Sequence, residues 1–163
     1  MAGNTALIYL GRRISYAEML DEVDRCAAAF TAHGIGPGDS VTLSLPSVPN
    51  AVIMFYALNR IGARAVMTHP LSSPTELEHY VRESGSRWAV TVDMFYGRFR
   101  EALANTDVER LVIAAVPDYL SRAKRLGFNI TCGRRIDPVP EARPADPHVG
   151  RLHDGRSGTE AVR

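Results

Sequence analysis

Along residues 5–132 the apolar positions change rhythm several times, from short unbroken or alternating runs to a period near 3.6 and back. ALIYLGRRIS (6–15) reads as two short strands about a turn at Gly11. Behind it Tyr16, Met19, Leu20, Val23, Ala27 and Phe30 recur at helical spacing, with Asp21, Glu22, Asp24 and Arg25 on the other side. Ser15 and Glu18 form S-x-x-E, the capping box that pairs two orphan N–H groups reciprocally, and Gly34 is a natural stop. VTLSL (41–45) predicts a buried strand. Ser47 is placed to cap a helix over 49–61, with Pro49 in the first turn, where a missing N–H costs little. That helix is apolar on most sides, so it is expected to lie deep between a sheet and other helices. Gly62 ends it and ARAVMT (63–68) comes next as a strand. Ser73, Pro74 and Glu76 make a second capped start, Leu77, Tyr80 and Val81 a buried stripe, and Gly85 an end. WAVTV (88–92) is a strand, and Asp93 is placed to cap a helix reaching about Ala104, weakened at Gly97. RLVIAA (110–115) is a strand, Pro117–Arg125 a short helix and FNITC (128–132) a further strand.

Strands separated by helices are normally parallel, because the return to the same edge of a sheet needs a crossover. The fold class is therefore α/β, a parallel sheet with helices on both faces. From Asp137 the pattern dissolves into DPVPEARPADP, rich in proline and without an apolar rhythm. We divide the chain into an α/β portion, 1–133, and a Pro-rich linker or tail, 134–163.

Composition narrows the functions open to this fold. The chain has 163 residues, 45% hydrophobic and 23% charged, with net charge +1. Nothing in that balance attracts nucleic acid or an anionic membrane surface, and no apolar run approaches the ~18 residues of a membrane span. Two cysteines, Cys26 and Cys132, are no disulfide framework and fit a reducing compartment, so a cytoplasmic location is expected.

Candidate chemistry is sparse. HGIGPGD (33–39) is glycine-rich, but its glycines come after a helix and precede a strand. A dinucleotide loop has the reverse order, so that a helix N-terminus faces the phosphate. Lys124, the only lysine among 19 basic residues, sits between Ala123 and Arg125 and builds no Walker loop. The five histidines lack the i, i+4 spacing of a helical metal site, and GRSGTE (155–160) is not a nucleophile elbow. Cys26, Phe55, Tyr56, Phe95 and Tyr96 read as core. No catalytic or metal-binding residue is assigned. Ligands of open α/β sheets bind outside the carboxyl ends of the strands. That rule makes His69 after ARAVMT, Ser47 after VTLSLP and Asp93 after WAVTV the ligand-edge candidates.

Several stretches, in order, resemble one family. ISYAEML (14–20) resembles the opening signature of the adenylate-forming (AMP-binding) enzymes, which include acyl-CoA synthetases and peptide-synthetase adenylation domains. Residues 34–91 resemble the next stretch of those enzymes, with a GxGPGD-strand-P-N element, an A-x-x-R-I-G-A turn and P-L-x-x-x-E-L. VTVDMFYGRF (90–99) and VPDYLSRAKRLGF (116–128) lean toward the fatty-acyl-CoA branch. The resemblance implies a large N-terminal α/β domain. It also implies a reaction in which a carboxylate attacks the α-phosphate of ATP, with Mg, and CoA then displaces AMP. It further implies tools this sequence does not show: a Ser/Thr/Gly-rich loop ending in Pro-Lys, and a catalytic lysine. The chain is thus expected to be an N-terminal fragment of an acyl-CoA synthetase, inactive alone, with fatty or other carboxylic acids as substrates of the intact enzyme. The alternatives are a non-catalytic module that self-associates or docks a complementing fragment through exposed apolar surface, and a flavodoxin-like domain binding a small ligand near 46–47, 69–73 and 93–94.

Overall fold

The computed structural model describes residues 3–114 and the backbone of 149–150. The predicted helix at Pro117–Arg125 and strand at 128–132 lie outside the described residues. A hairpin opens the chain, β1 (Thr5–Tyr9) antiparallel to β2 (Arg12–Ser15). Then come α1 (Tyr16–Ala32), β3 (Ser40–Ser44), α2 (Pro49–Arg60), β4 (Arg64–Met67), α3 (Pro74–Ser84) and β5 (Trp88–Val92). A 3-10 turn (Asp93–Phe95) leads into α4 (Tyr96–Leu103), and then come β6 (Arg110–Ala114) and β7 (Val149–Gly150). The sheet order is β4-β3-β5-β6-β7, parallel throughout.

Period-two alternation divides the core into two layers. Val41 and Leu43 of β3, Val90 and Val92 of β5, and Val112 and Ala114 of β6 pack with Met19, Val23, Phe30, Ile53 and Leu58 of α1 and α2. Ala89, Leu111 and Ile113 face the opposite way, into Leu77 of α3 and Tyr96, Phe99 and Ala102 of α4. Helices thus cover both faces, as the α/β pattern predicted.

The two capping boxes form as expected. Glu18 N donates to Ser15 Oγ at 3.2 Å while Ser15 N donates to Glu18 Oε2 at 2.8 Å. Ser73 and Glu76 repeat this at 3.3 and 2.8 Å. Gly85 closes α3 in the left-handed region, φ 60°. Four expectations need correction. Asp93 is the N-cap of neither element that follows β5: the 3-10 turn has Val92 in that position and α4 has Phe95, neither with a side-chain cap bond. The N-cap of α2 is Val48, with no side-chain cap bond, so Ser47 stands one residue too early to cap it. α2 is not buried all round: Phe55 and Tyr56 are exposed and pack edge-to-face on each other, ring centroids 5.5 Å apart. Tyr16, Leu20 and Tyr80, expected on buried stripes, are also exposed. For these five side chains helical period marked apolar positions that the neighbouring layer leaves exposed.

Gly34 and Gly38 both have φ 87°, and they build the turn between α1 and β3. Gly38 N donates to Gly62 O at 3.0 Å and Arg64 N to Asp39 O at 2.7 Å, which ties this turn to the one before β4. The glycine-rich stretch is therefore a joint at the amino edge of the sheet, on the side away from the strand ends where ligands of such sheets bind.

Candidate functional site

The sheet order places the carboxyl ends of β4, β3 and β5 side by side, and with them His69, Ser47 and Asp93. Each local turn determines what its side chain does. After β4, Thr68 N extends the ladder to Leu43 O at 3.0 Å, and Ser72 N closes a turn on His69 O at 3.0 Å. Inside that turn Leu71 N donates to His69 Nδ1 at 3.2 Å. The imidazole thus serves as an acceptor two residues upstream, much as Asn or Asp does in an Asx turn. Arg98, from α4, donates through Nη1 to Leu71 O at 3.1 Å and Ser72 O at 3.0 Å, binding the turn to the opposite element. Asp93 is half-buried, and its Oδ1 accepts from Met94 N at 2.9 Å. Ser47 is exposed, in the turn where Val48 N donates to Pro46 O at 2.7 Å.

An apolar groove of ≈ 350 Å³ opens beside Ser47. Leu7 and Ile8 of the hairpin, Leu45 after β3, Val52 of α2 and Met67 of β4 line it. Of the three candidates, Ser47 alone is in its wall. Ile8 and Met67 leave 67% and 52% of their surface uncovered, so the groove is an open face and not a closed cavity.

On the other face of the sheet lies a feature that sequence reasoning missed. Ser44 and Thr91 are in register across β3 and β5, and Ser44 and Thr68 occupy the next positions after the β3–β4 pair Leu43–Met67. Three hydroxyls thus line up near the carboxyl edge. Thr91 Oγ1 donates to Ser44 O at 3.2 Å. Ser44 Oγ and Thr68 Oγ1 are buried with no hydrogen-bond partner among the described residues. One turn back, Thr42 Oγ1 donates to Ser86 Oγ at 2.9 Å, and Ser86 in turn meets Ser84 Oγ at 2.8 Å. The alternation within VTLSL carried the signal: its polar positions, Thr42 and Ser44, share one face of a strand read only as buried.

Among the described residues no group of three His, Cys, Asp or Glu side chains is gathered to hold a metal ion. Burial, with the Glu22 carboxylate adding to it, pushes the Cys26 thiol up to about 12, so at neutral pH it is an inert thiol packed against the core.

The AMP-binding enzyme family matches residues 1–148. The chain belongs to that family. It is similar to a long-chain-fatty-acid–CoA ligase of Bacillus subtilis, 26% identical over 132 residues, covering 81% of this chain and 24% of the relative. It is also similar to triostin synthetase I of Streptomyces triostinicus, 30% identical over 158 residues, 96% of this chain and 29% of the relative. Among solved structures, a benzoate CoA ligase from Burkholderia xenovorans shares the fold, with a TM-score of 0.65 at 20% identity, over 69% of this chain and 23% of that one. The chain thus spans about a quarter of the length of the relatives it matches. Within the family it corresponds to an N-terminal α/β portion, as the ordered motifs implied.

Proposed function

We propose that the chain is the N-terminal part of an ATP-dependent acyl-CoA synthetase and that it has no activity by itself. The match to the AMP-binding enzyme family over residues 1–148 carries this reading, supported by the likeness to a long-chain-fatty-acid–CoA ligase. The reaction of the intact enzyme would be attack of a carboxylate on the α-phosphate of ATP, giving an acyl-adenylate and pyrophosphate. CoA thiol then displaces AMP. ATP, Mg and CoA belong to that intact enzyme. The described residues do not fit them: the left-handed glycines lie at the amino edge, His69 Nδ1 and Asp93 Oδ1 are engaged in their own turns, and no carboxylate group is gathered for a metal. No step through those groups is assigned to this chain. The sequence supports inactivity, since it holds no Ser/Thr/Gly-rich loop ending in Pro-Lys. GRSGTEAVR (155–163) offers only Ser-Gly-Thr, and the sole lysine is Lys124. A cytoplasmic location is part of the same proposal. Among the described residues no helix is long and apolar enough to cross a membrane. Acid-dependent exchange of pyrophosphate into ATP tests the proposal: no exchange above background is expected from the purified chain, and clear exchange overturns the claim of inactivity.

A second reading is favoured by the open groove and the exposed Phe55–Tyr56 pair. Uncovered apolar surface of this kind marks a place of association, here with a complementing fragment of the same family or with another copy. Sedimentation is expected to show self-association or capture of such a fragment. A compact monomer that binds no apolar dye would refute it.

A further inference from the structure

We draw no further inference here: the strongest candidate, the apolar groove between the β1–β2 hairpin and the β3–α2 turn, already belongs to the second reading above, and nothing in the structure shows what covers it.

Discussion

Thr42 and Ser44 sit two residues apart on one strand, point to the same face and are both fully buried, yet their hydroxyls differ in one respect. Thr42 Oγ1 is bonded to Ser86 Oγ, whereas Ser44 Oγ has no partner among the described residues. An intramolecular hydrogen bond contributes a net ~0.5–1.5 kcal/mol, while a buried polar group left unpaired costs about 1–3 kcal/mol. Thr42→Val keeps the volume and deletes the bond; Ser86 retains Ser84 as a partner, so the loss is limited to about 1 kcal/mol. Ser44→Ala removes an unpaired oxygen and leaves a gap smaller than a methyl group. It is expected to leave stability unchanged or raise it by up to ~1 kcal/mol. Urea denaturation of the two variants beside the parent chain, at equal slope, reads the difference directly. In thermal scans a separation of about 1–2 kcal/mol corresponds to roughly 2–8 °C for a chain of this size. If Ser44→Ala loses more than about 1 kcal/mol, its hydroxyl is engaged, and the reading of Ser44 Oγ as an orphan fails.

Local geometry sets three further outcomes. The Glu18 and Glu76 carboxyls are held below their usual range, first by the backbone N–H and then by the hydroxyl of Ser15 and Ser73. Because the folded pKa is the lower one, the stabilisation is complete above the unfolded value near 4.5 and is lost as pH falls through the folded value. Denaturation midpoints measured from pH 7 down to pH 3 should therefore drop less in an E18Q/E76Q variant than in the parent, and equal slopes would count against the capping boxes. Gly62 has φ 75° and an added Cβ would lie 3.3 Å from Pro37 Cβ, whereas Gly85, φ 60°, has open space. Both alanine variants pay about 1–2 kcal/mol for the left-handed conformation, and Gly62→Ala is expected to lose more by chemical denaturation; equal losses would contradict the contact with Pro37. In a Cys132→Ser background a thiol reagent at pH 7 should modify Cys26 at least tenfold more slowly in the native chain than in denaturant, and matching rates would show that the thiol is not buried.

Much of the fold was legible because the signals were local. Ser15 with Glu18, Ser73 with Glu76, and glycines at 62 and 85 each act within one turn of chain, and WAVTV is a strand over its whole predicted length. What failed depended on distant partners. Phe55 and Tyr56 look like core in an apolar helix, but α2 rests on β3 and β4 by one side and on α1 by another, and these two rings fall outside both contacts. Ser47 had the right residue type for a cap, but the helix begins at Pro49, so the N-cap position goes to Val48. At the carboxyl edge the rule for α/β sheets located the strand ends correctly. It could not foretell that His69 would be used as a turn acceptor, nor that Arg98, 27 residues after Leu71, would secure that turn. The hydroxyl row escaped notice because cross-strand register is a property of three strands together.

The joint where Gly38 meets Gly62 and Asp39 meets Arg64 fastens two neighbouring strands at a single margin. With alignment secured there, the connections at the far margin are free to lengthen, shorten or change chemistry without slipping the sheet. Register is thus decided at the margin opposite the strand ends that carry His69, Ser47 and Asp93.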